Sequence, residues 1–142
     1  MRIVDVLRSK GDTVVTVDPG ETVTRLLALL DEHGIGAMVV SSDGRAVHGI
    51  VSERDVVRRL HSDGPGLLER TVGDIMTSDV HTCEPDVAID DLMRLMTDRR
   101  VRHVPVVRDG ALAGIVSIGD VVKHRIDELT SERDQLSAYI QS

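Results

Sequence analysis

Two short strings of the sequence place a serine and an aspartate at the same spacing. The string GIVSERD contains Ser52 and Asp55, and the string GIVSIGD contains Ser117 and Asp120. In each, an apolar run typical of a buried strand leads to the serine, where a helix is expected to begin. A carboxylate has two acceptor oxygens, which suit the adjacent hydroxyls of a ribose. Free N–H groups in a first helical turn attract phosphate. Each string therefore describes a ribose-phosphate anchor.

A purely structural role explains the same residues. A serine at the N-cap with an acidic residue three positions later resembles a capping box. Duplication copies caps as well as ligand sites, so the second occurrence does not decide between the two roles. Their consequences differ, because losing a cap costs stability, by about 0.5–2 kcal/mol, whereas losing a ligand contact costs affinity.

The two strings belong to a longer internal repeat. The dipeptide DP at 18–19 matches EP at 84–85, and DG at 43–44 matches DG at 109–110. The offset is 66 residues up to these turns and 65 residues after them, because the first copy has one additional residue there. This period is too long for a solenoid. It indicates a duplicated small domain, with two similar sites related by a pseudo-twofold axis.

The hydrophobic pattern predicts the same order of elements in both halves. In the first half we expect a short helix or turn at 3–8, a strand at 14–17, a helix at 22–33, a strand at 37–40, a turn at 42–45, a strand at 47–51 and a helix from Ser52 to about Leu60. In the second half we expect a helical turn at 72–76, a strand at 80–83, a helix at 88–98, a strand at 101–107, a turn at 108–110, a strand at 112–116 and a helix from Ser117. The fold class is α/β (α+β), with two β-α-β-β-α units.

The repeat also predicts a division of the chain. We expect a first unit at 1–60, a linker at 61–70, a second unit at 71–124 and a helical tail at 125–142. The tail has an apolar stripe, interrupted at Arg133 and formed by Val122, Ile126, Leu129, Leu136 and Tyr139. A helix that is exposed on most sides needs a partner for such a stripe. Packing on its own domain and a dimer contact both explain it.

Composition and charge restrict the class of ligand. The chain has a net charge of −7, no Phe, no Trp and one Tyr, although Arg54, Arg58 and Arg59 could form a local basic patch. A nonspecific nucleic-acid binder needs a basic face and usually stacking aromatics, so a nucleic-acid partner is not expected. Any bound ring would lie between aliphatic side chains.

No enzyme, metal or membrane motif is recognised. Zinc-protease, nucleophile-elbow and P-loop strings are missing from the sequence, and the histidines lack metal-ligand spacing. No apolar run approaches the ~20 residues of a membrane span, and the N-terminus has no signal-peptide core. Cys83 is the only cysteine, which fits a reducing cytosol. We expect a cytoplasmic protein without catalytic or metal-binding residues, in which Cys83 is a buried structural thiol.

The repeated order of elements, together with GIVS-x-x-D in both copies, resembles a tandem pair of cystathionine β-synthase (CBS) domains, called a Bateman module. The resemblance covers roughly residues 3–124 and extends to stand-alone bacterial two-CBS proteins. It implies two units packed sheet to sheet, with clefts that bind adenine nucleotides or related adenosyl ligands (AMP, ADP or ATP), no required cofactor, and a homodimer. In the family the aspartate holds the ribose and the serine or threonine assists near the phosphate. The nucleotide-binding residues implied are Ser52, Asp55, Ser117 and Asp120.

The resemblance also implies that the two clefts differ in charge. Phosphate contacts in the family often come from basic residues before the proline of the second strand. That position carries Arg102 and His103 in the second half, but Gly36 and Ala37 in the first. One cleft should therefore prefer more phosphate. The sequence leaves open which aspartate shares its cleft with the two basic residues.

The adenine is expected to rest on the first strand of each unit, against Val14 and Val80, with Thr13 and Thr82 nearby for polar contacts. The expected function is a regulatory ligand-sensing module that transmits its state through dimer contacts or an unidentified protein partner. The alternative is a structural or interaction homodimer with vestigial nucleotide sites.

Overall fold

A computed structural model describes residues 1–11 and 13–141. The elements in chain order are α1 (Ile3–Lys10), β1 (Thr16–Val17), α2 (Val23–His33), β2 (Ala37–Val40), β3 (Gly49–Ser52), α3 (Glu53–Asp63), a short 3-10 helix (Pro65–Glu69), α4 (Val72–Ile75), α5 (Ile89–Arg99), β4 (His103–Arg108), β5 (Ala111–Ser117) and α6 (Ile118–Gln141). The predicted α/β class and the repeated order of helices and strands are confirmed, except for one strand.

The first sheet has the order β1-β2-β3. Strand β1 runs parallel to β2, with Thr16 opposite Val39, and β3 runs antiparallel to β2, with Ser52 opposite Ala37. The strand expected at 14–17 is shorter than predicted, because only Thr16 and Val17 pair with β2. Val14 is half-buried and precedes the strand.

The second sheet contains only β4 and β5, so the strand predicted at 80–83 is wrong. Cys83 alone forms a parallel bridge with Val106, through two backbone hydrogen bonds. To extend this pairing toward the N-terminus, the backbone N–H of position 105 would have to donate the next hydrogen bond, but β4 has Pro105 there. Proline has no N–H to give to a third strand. The equivalent position of the first sheet is Val39, which keeps its donor, and there the parallel ladder forms.

The helix that opens each repeat packs into the core of the other repeat. Ile3 and Val6 of α1 are fully buried among residues of α5, β4 and β5, and Ile3 N donates to Val87 O at 2.9 Å. In the same way, Val72 of α4 is buried in the core formed by α2, β2 and α3, and its N–H donates to Glu21 O at 2.8 Å. Each core is therefore complete only when both halves of the sequence are folded.

The segment predicted as a linker is structured. Helix α3 continues to Asp63 instead of ending near Leu60, and Asp63 forms ion pairs with Arg59 and Arg70. Leu67, in the 3-10 helix, is fully buried in the first core. The boundaries expected from the repeat stay a prediction.

The last helix is continuous from β5 to the end of the described chain. Val121 is buried, but the side chains of the predicted stripe are exposed, with Ile126 at 57% and Leu136 at 60%. Every described residue from 131 to 141 is exposed. Packing of the stripe on its own domain, one of the two explanations considered above, is therefore wrong for the outer part of α6.

Candidate functional site

The predicted helix caps form in both repeats. Ser52 N donates to Asp55 Oδ2 at 2.8 Å, and Asp55 N donates to Ser52 Oγ at 3.3 Å, which completes a capping box at the start of α3. At the start of α6, Ser117 N donates to Asp120 Oδ2 at 3.0 Å and Asp120 N donates to Ser117 Oγ at 3.1 Å. The structural role of these residues is confirmed.

The cap at Asp55 leaves part of the carboxylate available. Both Ser52 donors reach the same oxygen, Oδ2. In the described part of the chain, no hydrogen bond reaches Oδ1 of Asp55. A carboxylate oxygen has two lone pairs, so Asp55 can cap its helix and accept a ligand hydroxyl at the same time.

A cleft of about 270 Å³ opens at this carboxylate. One wall comes from the first unit and includes Ser52 and Asp55. The other wall is the segment that joins α5 to β4 in the second unit, and it includes Arg100, Arg102 and His103. The structure therefore places Arg102 and His103 in the cleft of Asp55, which the sequence left open.

Backbone geometry fixes this second wall. Arg100 ends α5 in the left-handed region, with φ 55° and ψ 40°, where Gly34 ends α2 in the first repeat. The chain then turns into β4, whose first residue His103 lies opposite Ser117. Arg102 O accepts from Ile118 N at 2.8 Å, which holds the turn against the start of α6. The basic residues are thus positioned by backbone contacts that remain when their side chains are changed.

The Asp55 cleft has an excess of positive charge although the chain is acidic, because its arginines outnumber its two carboxylates, Glu53 and Asp55. Four of its lining residues, Arg54, Arg58, Arg100 and Arg102, carry guanidinium groups. Among the ion pairs of residues 1–11 and 13–141, none involves any of these four. Unpaired guanidinium groups around a cleft favour a ligand with several negative charges.

Sequence reasoning found only part of this cluster. The possible basic patch of the sequence contributes Arg54 and Arg58, whereas Arg59 turns away to pair with Asp63 and to donate to Asp74 O. Arg100 was missed. Its only signal was its place at the helix end equivalent to Gly34, which gives no hint that it faces the other unit.

The second aspartate has a different partner. Lys10 Nζ donates to Asp120 Oδ2 at 2.7 Å and to Ile115 O at 2.8 Å. Partial burial alone would raise the pKa of Asp120, but the hydrogen bonds from Lys10 and Ser117 outweigh it, and the pKa lies below its usual value. Asp120 is therefore ionised and already bound to a cation.

His103 borders the Asp55 cleft and also lies near the Lys10–Asp120 pair. It lines the Asp55 cleft, and it interacts electrostatically with Lys10 and Asp120. Burial lowers the pKa of His103, and the charge of Lys10 lowers it further, against the opposite effect of Asp120 and Glu53. The imidazole is neutral at neutral pH.

The residues expected to hold the adenine do not line this cleft. Val14 and Val80 are half-buried, and neither is among the residues around Asp55. Thr13 and Thr82 are exposed, and Thr82 borders a separate cavity near Cys83. The segment that follows α4 contributes Thr77 to the Asp55 cleft instead. Adenine contacts at Val14 and Val80 stay a prediction.

The remaining reactive groups give no sign of catalytic or metal chemistry in the described residues. Cys83 is buried, and burial raises the pKa of its thiol to about 11, so it is protonated at neutral pH. Within residues 1–11 and 13–141, no group of three or more His, Cys, Asp or Glu side chains is arranged to hold a metal ion. No helix in those ranges combines the length and apolar character of a membrane span.

The fold and its repeated units match known proteins. The family model described as "CBS domain" matches residues 5–62 and 72–127. The crystal structure of the CBS-domain containing protein ATU1752 from Agrobacterium tumefaciens is 44% identical, with a TM-score of 0.84, over 88% of this chain and 99% of that one. The mitochondrial CBS domain-containing protein CBSX3 of Arabidopsis thaliana is 39% identical over 98% of this chain and 71% of its own length.

A more distant structure shows the same fold with ligands. The CBS domain pair of protein MJ0100, solved in complex with 5-methylthioadenosine and S-adenosyl-L-methionine, is 22% identical, with a TM-score of 0.80, over 90% of this chain and 98% of that one. The two matched segments account for most of the sequence, and each contains one Ser-x-x-Asp cap. The chain belongs to the CBS domain family, as a tandem pair of CBS domains that form one Bateman module.

Proposed function

We propose that this chain is a regulatory module that binds an adenine nucleotide (AMP, ADP or ATP) in the cleft at Asp55. Paired CBS domains are regulatory ligand-binding modules. One observation carries the proposal: the diol-accepting Asp55 and four unpaired arginines line a single cleft. Asp55 accepts the ribose, Ser52 assists at the first phosphate, and the arginines accept the rest of the phosphate chain.

The number of guanidinium groups bears on which nucleotide binds best. A charge-assisted hydrogen bond contributes about 1.5–3 kcal/mol, and solvent screening reduces this at an open cleft. Each additional phosphate can reach a further arginine, so affinity is expected to rise from AMP to ATP. Adenosine compounds without phosphate should bind this cleft least, because they leave Arg100 and Arg102 without a partner.

The two walls of the cleft come from different units, which suggests how binding is transmitted. A ligand that bridges Asp55 and Arg102 fixes the angle between the units. To move a population from one state to the other almost completely, the ligand must prefer one state by ~5.5 kcal/mol. A second copy of the chain or a protein partner in the cytoplasm would recognise the altered angle. No catalytic step is assigned to the chain.

Isothermal titration with AMP, ADP, ATP, NADH and S-adenosylmethionine tests the proposal, after ultraviolet absorbance has shown that the purified protein carries no nucleotide. We expect ATP to bind most tightly. Asp55→Asn should weaken binding on the order of 10- to 100-fold, while the amide oxygen still caps α3. Equal binding by wild type and Asp55→Asn, or no binding by ligand-free protein, would refute the proposal.

A second candidate function is supported by a separate observation. The apolar stripe of α6 is exposed over the outer half of the helix. An interaction protein that dimerises through this helix, with vestigial nucleotide sites, would use the stripe and leave the clefts empty. Loss of the dimer on deleting residues 127–142, in a protein that binds no nucleotide, would favour this candidate.

A further inference from the structure

The two CBS units differ in what approaches the backbone beside their aspartates. In the first unit, Ile50 O accepts from Thr77 N at 2.9 Å. In the second unit, the equivalent Ile115 O accepts from the side chain of Lys10 at 2.8 Å. The Lys10 ammonium group also bonds Asp120 Oδ2 at 2.7 Å. A backbone contact in one repeat is thus replaced by a cation in the other.

The length of the opening helix explains the difference. Ile3 and Val72 make the same backbone contact with the other repeat, so they are equivalent starting points of α1 and α4. Helix α4 ends at Ile75, four residues long, whereas α1 is eight residues long and ends at Lys10. The additional turn of α1 carries Lys10 to the Ser117–Asp120 cap. The second repeat, which opens with the short helix α4, has no counterpart of this turn.

We propose that Lys10 is a latch on the second nucleotide site: it holds Oδ2 of Asp120 and must leave before both oxygens of that carboxylate can accept a ribose diol. The inference rests on the proposed function, because it assigns a ribose ligand to the second aspartate. Oδ1 of Asp120 accepts no hydrogen bond from the described residues, but Oδ2 accepts from both Ser117 N and Lys10 Nζ, and the ammonium holds it with a full charge and a short hydrogen bond. At Asp55 the corresponding second donor to Oδ2 is the neutral hydroxyl of Ser52, which can rotate away. The chain therefore has one open site, at Asp55, and one latched site, at Asp120.

The latch is weak enough to open. The side chains of Lys10 and Asp120 keep 36% and 26% of their exposure, so solvent screens the pair. Lys10 lies on the final turn of α1 and can swing into solvent without any movement of the buried Ile3 and Val6. Because a ligand must first displace Lys10, the second site is expected to bind it about tenfold more weakly than it would without the Lys10 side chain.

The test uses AMP as the probe and the full chain in an Asp55→Asn background, in which the first site is weakened and a change at the second site becomes measurable. Lys10→Met removes the ammonium group and keeps a long, helix-compatible side chain. Arg8→Met is the matched control, because it removes a positive charge from the same helix at a residue that pairs with Asp5 and not with Asp120. Thermal melts establish that each variant is folded.

We expect Lys10→Met to bind AMP about tenfold more tightly than the Asp55→Asn parent, Arg8→Met to match the parent, and Asp120→Asn added to Lys10→Met to abolish the gain. AMP binding that is unchanged or weaker in Lys10→Met overturns the latch, as does a gain that survives Asp120→Asn. The difference in AMP affinity between wild type and Asp55→Asn measures binding at the first cleft. A failure of the proposed function can therefore be distinguished from a failure of the latch. If Lys10→Met raises AMP affinity in an Asp120-dependent way while the first cleft binds no AMP, the latch is supported and the function assigned to Asp55 is refuted.

Discussion

Asp55 and Asp120 occupy equivalent places in the two repeats, but their carboxylates have different partners. Each gives one oxygen to the serine three residues before it. Asp55 then faces arginines across a cleft, whereas Asp120 is bound to Lys10. The same cap therefore has different surroundings in the two repeats, and on this ground we propose that only the carboxylate of Asp55 is open to a ligand.

The glycines of the two repeated strings have a packing role. A Cβ at Gly49 would lie 2.7 Å from Thr77 O, and one at Gly114 would lie 2.6 Å from a terminal carbon of Leu7. The first neighbour is backbone and cannot yield, whereas the second is the end of a flexible side chain. Each glycine therefore allows a close approach by the other repeat, through Thr77 after α4 or Leu7 of α1.

Gly49→Ala should lower the free energy of unfolding by about 1–3 kcal/mol, because the new methyl group overlaps the Thr77 carbonyl. Gly66→Ala is the control, since a Cβ there would meet nothing within 4 Å, and it should leave stability unchanged or slightly raised. Urea melts followed by circular dichroism measure both. Equal stability of the two variants would contradict the packing role of Gly49.

His103 should make stability depend on pH in a defined window. Its folded pKa lies below the ordinary value of 6.5, chiefly because it is buried. The unfolded chain then binds more protons than the folded one. The contribution of His103 to stability is therefore constant well above pH 6.5, and it falls as the pH is lowered from about 6.5 toward the folded pKa. The depressed pKa of Asp120 acts only at more acidic pH, below its usual 3.8.

His103→Gln should flatten the stability profile between about pH 8 and pH 5.5, as measured by urea melts at several pH values. His61→Gln is the matched control, because His61 is exposed at the end of α3, and its profile should follow that of wild type. A profile for His103→Gln as steep as that of wild type would show that another group is responsible.

At the scale of elements, the sequence predicted what is local. Helix starts at Ser52 and Ser117, the helix stop at Gly34 and the hairpin partners all follow from residues within a few positions of one another. The missing strand at 80–83 depended on Pro105, more than twenty residues away, whose lack of an N–H matters only once pairing is known. In the same way, Arg100 and Arg102 meet Asp55 only through the packing of one unit on the other, which no local pattern encodes.

Helix α6 has a regular apolar repeat on its exposed side. The stripe residues Val122, Ile126, Leu129, Leu136 and Tyr139 follow one another at steps of three, four or seven residues, with Arg133 inside the widest step, as in an interrupted coiled-coil seam. From first to last this stripe is ~26 Å long at 1.5 Å per residue. We propose a second copy of the same helix as its partner, because that copy presents the same spacing.

Leu136→Lys should raise the dissociation constant of a homodimer on the order of 100-fold, because it buries an unpaired charge in the stripe. Ala138→Lys adds the same charge two residues away, off the stripe, and should leave the dimer intact. Analytical ultracentrifugation over a range of concentrations measures both. Since Leu136 is 60% exposed, neither change should lower the stability of the fold. A monomeric wild type, or a dimer unaffected by Leu136→Lys, would exclude this interface.

At the scale of the whole molecule, the halves are interlocked. Helix α1 completes the second core and α4 completes the first. The turn after β2 also reaches the other unit, where Leu112 N donates to Arg45 O at 2.7 Å. The Asp55 cleft and the Lys10–Asp120 pair both lie where the two halves of the sequence meet, so ligand binding at either is coupled to the same packing.

The interlock predicts a single unfolding transition. Ile3→Val removes a methyl group from the second core and Ile75→Val removes one from the first, at side chains that are 0% and 5% exposed. Each should lower the free energy of unfolding by about 0.5–1.5 kcal/mol and shift the entire transition, because neither core survives without the other half. Ile140→Val, at a side chain that is 74% exposed, is the control and should leave the midpoint unchanged. Calorimetry combined with urea melts would show whether the calorimetric and van't Hoff enthalpies agree. Two resolved transitions, with Ile3→Val moving one and Ile75→Val the other, would mean that the halves fold independently in spite of the exchanged helices.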